Sequence, residues 1–231
     1  MNKSHFLFST LAVWTLCAAA SAEVDMLELY EKAQGGDTQA LYELGMAYYK
    51  GDGVKKDSSK AMRWYQLAAE QGHARAQFNL AECYYYGWGV EQNYPEAVKW
   101  YQPAAAQGNA PAQYSLGFCY FNGNGVTQSY TEAVKWFKLA AGQGNADAQN
   151  NLGYCYYNGK GVTQSYPEAV KWFKLAADQG NADAQYDLGY CYYNGKGVKK
   201  SRPEAIRWYK LSAANGCSEA ADFLRKIGEK P

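Results

Sequence analysis

An unbroken period of 36 residues runs through the chain and leaves few folds open to it. Ala40, Ala76, Ala112, Ala148, Ala184 and Ala220 stand 36 apart. So do Trp64, Trp100, Trp136, Trp172 and Trp208, and so do Leu44, Leu80, Leu116, Leu152 and Leu188. A fixed period of this length marks a stacked array: each repeat is one supersecondary element that cannot bury its apolar face alone, and stacking on its neighbours completes the core.

Within a repeat the apolar spacing is helical. Ala148, Leu152, Cys155 and Tyr156 fall at i, i+4, i+7 and i+8, one face of a first helix. Gly159-Lys160-Gly161 breaks it. A second helix begins near Pro167-Glu168, because proline suits the first helical position and an acid suits the positive end of the helix dipole. Ala169, Trp172, Phe173 and Ala176 give its buried stripe. Gly72, Gly108, Gly144, Gly180 and Gly216 close the second helices as left-handed caps. Asn109, Asn145 and Asn181 follow as N-caps of the next first helix, a position held by His73 and Cys217 elsewhere. The expected fold is an all-α solenoid of twelve helices. Full repeats start at 40, 76, 112, 148 and 184, with half repeats over 23–39 and 220–231.

Residues 1–22 read as an address rather than structure. Lys3 precedes an apolar run from Phe6 to Ala20, and Ala20-Ser21-Ala22 is a small-x-small cleavage pattern, as in a secretory signal peptide. The run is shorter than the ~20 residues that span a bilayer. Its removal takes Lys3 and no acid, which brings 23 Lys+Arg level with 22 Asp+Glu. The product is expected to be periplasmic or secreted from a bacterium, with no membrane span in the mature chain. A neutral balance without basic blocks offers no electrostatic footprint for nucleic acid.

The pattern Ala-x-x-x-Leu-Gly-x-x-Tyr, Gly-x-Gly-Val and Ala-x-x-Trp-Tyr/Phe-x-x-Ala-Ala-x-x-Gly resembles the Sel-like repeats (SLR), relatives of tetratricopeptide repeats, from Val24 to about Ile227. The resemblance implies a right-handed α/α superhelix and an adaptor-type role. It names no partner, because its signature residues are structural, and it implies no cofactor.

In tetratricopeptide arrays the first helix of each repeat lines the concave face. Aligning on Leu-Gly and Tyr carries the lining positions onto this chain. The third holds Tyr42, Phe78, Tyr114, Asn150 and Tyr186; the seventh Met46, Glu82, Phe118, Tyr154 and Tyr190. The tenth holds Tyr49, Tyr85, Phe121, Tyr157 and Tyr193; the eleventh Lys50, Tyr86, Asn122, Asn158 and Asn194. These positions form a helical stripe separate from the core stripe. The third, seventh and eleventh are the candidate partner-binding groove, while the tenth either joins it or packs between helices. Tyrosine offers large contact area at low entropic cost and a hydroxyl. Asparagine can pair with a peptide backbone or with sugar hydroxyls. Cationic side chains are scarce there, Lys50 being the main one. The expected partner is a protein or an uncharged or extended peptide, with a cell-wall glycan as the alternative, bound by a monomer. Trp88, in a turn where other repeats have Asp52, Asn124, Lys160 or Lys196, either makes a contact or folds back on Tyr86.

Chemistry for catalysis or metal binding is sparse. Cys83, Cys119, Cys155 and Cys191 are 36 apart and alternate with Ala47, as small buried residues would. Equivalent helices ~8–10 Å or more apart hold such cysteines beyond the ~4.4–6.8 Å Cα separation of a disulfide. Cys217 is the candidate exposed thiol, with pairing to Cys191 or to another chain as its alternative. His73 is alone after the signal and makes no metal pair. Some cysteine-rich Sel-like proteins are described as β-lactamase-like, a reading that here rests on family association only. No Ser precedes a Lys by three after residue 22, and Ser-Asp-Asn and Lys-Thr-Gly are absent. The chain is expected to be non-enzymatic.

Overall fold

A computed structural model describes residues 26–230. The signal-peptide reading over 1–22 lies outside the described residues. Among the described residues there are twelve helices and no strand. The first, α1, covers 26–34. First helices of the repeats are α2 (Thr38–Lys50), α4 (Ala74–Tyr86), α6 (Ala110–Asn122), α8 (Ala146–Asn158) and α10 (Ala182–Asn194). Second helices are α3 (Ser58–Glu70), α5 (Tyr94–Ala106), α7 (Tyr130–Gly142), α9 (Tyr166–Asp178) and α11 (Arg202–Ala214). The last, α12, is Ser218–Lys226. This is the expected α/α solenoid class. The chain divides into two compact units, through Pro103 and from Ala104 onward. In the first, α2 packs on α3 and α3 on α4; in the second, α6 to α11 pack in sequence, each on the next, and α12 closes on α11.

Local chemistry sets the boundaries. Asn109, Asn145 and Asn181 accept from the backbone N–H three residues on, at 2.8–2.9 Å. His73 does the same through Nδ1, 3.1 Å from the Ala76 N–H, and its Nε2 faces Gln39 Oε1 at 3.1 Å. Cys217 makes no side-chain cap bond. Ser129, Ser165 and Ser201 cap α7, α9 and α11, of which α9 and α11 begin one residue ahead of Pro167 and Pro203. They end in a six-residue loop typified by Asn181, whose N–H donates to Ala176 O at 3.1 Å across left-handed Gly180.

The core is a ladder of small, aliphatic and aromatic slots. Leu80, Leu116, Leu152 and Leu188 are fully buried, as are the alanines four residues before them. From the second helices come Tyr65, Tyr101, Phe137, Phe173 and Tyr209. One expectation needs correction. Trp64, Trp100, Trp136 and Trp172 are half-buried, and Trp208 is the buried tryptophan among the described residues. One residue turns a helix by ~100°, so the ring after each tryptophan faces the core squarely and the tryptophan lies at its edge. Tyr156 is likewise half-buried.

A polar ladder runs inside this core. In the second unit Gln113, Gln149 and Gln185 are buried and donate to Ala105 O, Ala141 O and Ala177 O at 3.0–3.2 Å. Their Oε1 atoms accept from Gln143, Gln179 and Asn215 at 2.7–2.9 Å. Each glutamine therefore ties the end of the preceding second helix to the end of its own repeat's second helix, with both its amide nitrogen and its amide oxygen partnered.

Candidate functional site

Every residue assigned to the groove from sequence is half-buried or exposed. In the first unit, Tyr42 stacks on His73 (centroids 4.6 Å, 25°) and Phe78 leans on Tyr101 at 6.1 Å. Glu82 accepts from the Tyr101 hydroxyl. Tyr86 is 52% exposed and stacks on Trp88 at 4.8 Å and 20°, so Trp88 does fold back on it. In the second unit, Tyr114 sits 6.0 Å from Phe137 and 6.2 Å from Phe118. Tyr154 and Tyr190 are 39% and 43% exposed, Tyr186 is half-buried, and Asn122, Asn158 and Asn194 are exposed.

The tenth position belongs to both faces. Phe121 meets Tyr154 edge-on at 6.0 Å, and Tyr157 meets Tyr190 at 6.3 Å, so these rings bridge successive first helices. Burial, then Tyr190, pushes the Tyr157 phenol up to about 12. The asparagines are less free than their composition suggests. Asn122, Asn158 and Asn194 each donate one Nδ2 N–H to the carbonyl four residues earlier at 3.0–3.1 Å, which leaves the second N–H and the oxygen as the open groups. Asn150 is half-buried with its Oδ1 buried and unpartnered. Other repeats place an aromatic ring in its slot over the second-helix ring, as Tyr186 does 5.4 Å from Tyr209.

Two cavities open on this face. In the second unit a hollow of about 250 Å³ is lined by Tyr154, Tyr157, Phe173, Tyr186, Asp187 and Tyr190. In the first unit a hollow of about 220 Å³ lies at the same place in the repeat, where Tyr49, Tyr65 and Phe78 take the slots of Tyr157, Phe173 and Tyr186. A larger open crevice of about 460 Å³ beside α1 and α2 is a polar surface feature, and Glu28 and Lys32 on its rim pair with each other at 2.7 Å.

Asp187 is the site residue that sequence reasoning missed. It occupies the fourth position, off the 3-7-10-11 stripe, where other repeats have Glu43, Asn79, Ser115 and Asn151. Burial, and secondarily Asp183, push its carboxyl up to about 7. An acid in a slot otherwise filled mostly by neutral polar residues was the available signal.

Cys83, Cys119, Cys155 and Cys191 are buried and free. Burial pushes the thiols of Cys83, Cys155 and Cys191 up to about 12. Cys217, expected to be exposed, is half-buried: it packs against the cluster of Ala205, Tyr209, Ala220 and Leu224, with Sγ 3.6 Å from Glu219 Oε2. Among the described residues no group of three His, Cys, Asp or Glu side chains could hold a metal ion, and no helix is long and apolar enough to cross a membrane.

Comparison with known families matches the Sel1 repeat over 38–73, 74–109, 110–145, 146–181 and 182–217. A solved structure of c5321, a protective antigen present in uropathogenic Escherichia coli strains and displaying an SLR fold, is 37% identical over 87% of the chain, with a TM-score of 0.80. The match spans 44% of that antigen. A Sel1 repeat protein from Oxalobacter formigenes is 35% identical over 89% of the chain and 87% of its own length, also at 0.80. The immunity protein Pa5087 from Pseudomonas aeruginosa is 29% identical over 81% of the chain and 69% of its own, at 0.51. A comparison with curated protein sequences gives no match.

Proposed function

Because the chain belongs to the Sel1 repeat family, we propose that it is a non-catalytic scaffold that binds a protein or peptide through the aromatic face of its first helices. Sel1 repeat proteins are generally protein-interaction scaffolds and generally non-catalytic. The observation that carries the reading here is exposure: Tyr86, Trp88, Tyr154 and Tyr190 keep 38–52% of their surface open beside two cavities. Large aromatics cost free energy in water, and interfaces concentrate them where a partner covers them. In the first unit the face holds Tyr42, Phe78 and Glu82; in the second it holds Tyr114, Phe118, Asn122, Asn150, Asn158, Tyr186 and Asn194. The protein acts as a monomer, and the pattern in 1–22 supports its export to the cell envelope or beyond.

A glycan is the second candidate for the same face. It draws less support, because Asn122, Asn158 and Asn194 each commit one of their two Nδ2 N–H donors to the helix, which fixes the amide and leaves one N–H and the oxygen for sugar hydroxyls. The test is a crosslinking pull-down from the native envelope with wild type and the double variant Tyr154→Ala/Tyr190→Ala. Loss of a captured protein at unchanged helicity and melting temperature supports the reading. Capture that does not depend on these tyrosines rejects it.

A further inference from the structure

The cavity between α8 and α10 holds one group that protein binding in general does not call for. The Asp187 carboxylate makes no hydrogen bond and no ion pair with any described residue. Tyr154, Tyr157, Phe173, Tyr186 and Tyr190 line the same cavity. The equivalent cavity of the first unit differs at this point. There the fourth-position residue is Asn79, whose Nδ2 donates to Met46 Sδ at 3.4 Å, and the acid on the same helix, Glu82, is partnered by the Tyr101 hydroxyl. A half-buried carboxylate without a partner costs free energy. Ring faces are electron-rich and attract cations. Both features therefore favour a positive charge in the same space.

The chain supplies its own precedent. The Lys160 ammonium sits among three rings, 5.0 Å from the centroid of Phe121, 4.9 Å from Tyr130 and 5.1 Å from Tyr154. Tyr157, Tyr166 and Tyr190 are the equivalent rings one repeat later. Lys196, in the slot of Lys160, rests 4.9 Å over Tyr166 and over no other ring. Among the described residues no lysine or arginine lies over the rings of Tyr157 and Tyr190.

We propose that this cavity takes the side-chain cation of a lysine or arginine on an extended segment of a partner protein, with the rings enclosing it and Asp187 neutralising it. The proposal rests on the protein-binding reading above and replaces the uncharged peptide expected from the scarcity of groove cations. About 250 Å³ is room for one such side chain. An arriving cation pulls the Asp187 carboxyl back down from about 7, so binding strengthens as pH rises from about 6 to 8. The other groups facing Asp187 are Asp183, Tyr186, Tyr190 and Cys191 on its own helix, Tyr154 and Tyr157 on α8, and Tyr209 on α11. Tyr157 and Cys191 are pushed up to about 12, and Tyr209 is pushed up too, so these three stay neutral over that range.

The test uses three peptides of one Gly/Ser host sequence with a central arginine, lysine or norleucine, titrated into the full chain at pH 8 and low salt. The two basic peptides should bind about ten-fold tighter than the norleucine peptide. That preference should collapse in Asp187→Asn, return in Asp187→Glu, and survive in Asp178→Asn, which removes an exposed acid at the end of α9 outside the cavity, with each variant's melting curve recorded. Equal affinities for all three peptides, a preference that survives Asp187→Asn, or no binding of the basic peptides at millimolar concentration would overturn the proposal. Each of these leaves the scaffold reading intact if envelope capture still depends on Tyr154 and Tyr190. Only capture indifferent to both tyrosines removes the reading itself.

Discussion

Gly153 lies so close to Phe173 that a β-carbon on residue 153 would stand 2.6 Å from the ring's Cδ1. Both partners are core residues of one repeat, and the missing side chain lets α8 approach α9. Gly153→Ala should therefore lower stability by about 1–2 kcal/mol, an overpacking cost partly offset by alanine's better helix propensity. Ala81 fills this slot, fully buried, in another repeat, so the methyl can be housed and the protein should still fold. Gly142, at the end of α7, has nothing within 4 Å of its would-be β-carbon. Gly142→Ala should raise stability by about 0.5–1 kcal/mol. Urea melts of the two variants should move in opposite directions.

Cys217 stands where Asn109, Asn145 and Asn181 cap their helices, and it makes no cap bond. Cys217→Asn should add about 1 kcal/mol by giving α12 the acceptor its neighbours have. Thermal unfolding checks this, and an unchanged melting temperature would show that α12 is set by packing alone.

The buried ladder Cys83, Cys119, Cys155 and Cys191 should resist a thiol reagent at pH 8 in the native full chain, with Cys217 the first of these five to react. Peptide mapping by mass spectrometry reads the order directly. Denaturant should equalise the five rates.

Asp187 makes stability depend on pH with a definite sign. Its folded value, about 7, lies above its ordinary value of 3.8, so the folded state holds the proton more tightly. The contribution is most favourable below about pH 4 and is lost as pH rises towards 7. Asp187→Asn should therefore melt higher than wild type at pH 8, by something on the order of 1–3 kcal/mol of added stability, and this advantage should be absent at pH 4. Equal gains at both values would assign the effect to packing.

The repeat, its caps and its core slots were legible because each is written five times. Asn145 or Leu152 need only local rules, and periodicity removes the ambiguity that a single instance would leave. The tryptophans misled because a helical face has an edge: Trp172 and Phe173 are neighbours in sequence, and only packing decides which one points inward. The exposed face was legible as a stripe of tyrosines. The direction of the asparagine amides was not, since the carbonyl four residues back competes for each donor. Asp187 was hidden for a different reason. Its environment is made by α8 and α10 together, and in its slot three of the other repeats hold Asn79, Ser115 and Asn151 while the acid of the first, Glu43, is exposed.

The buried glutamine ladder sets a rule for length. Gln149 is satisfied by Ala141 behind it and Gln179 ahead of it, and the same pairing recurs at Gln113 and Gln185. A junction made between any two such rungs is chemically the same junction. A gene encoding this array can therefore gain or lose coding sequence in steps of one whole repeat without stranding a polar group. A step of any other size would leave an amide inside the core with nothing to hold. Copy number is thus a variable that recombination can change freely, while the spacing between copies is fixed by hydrogen bonding.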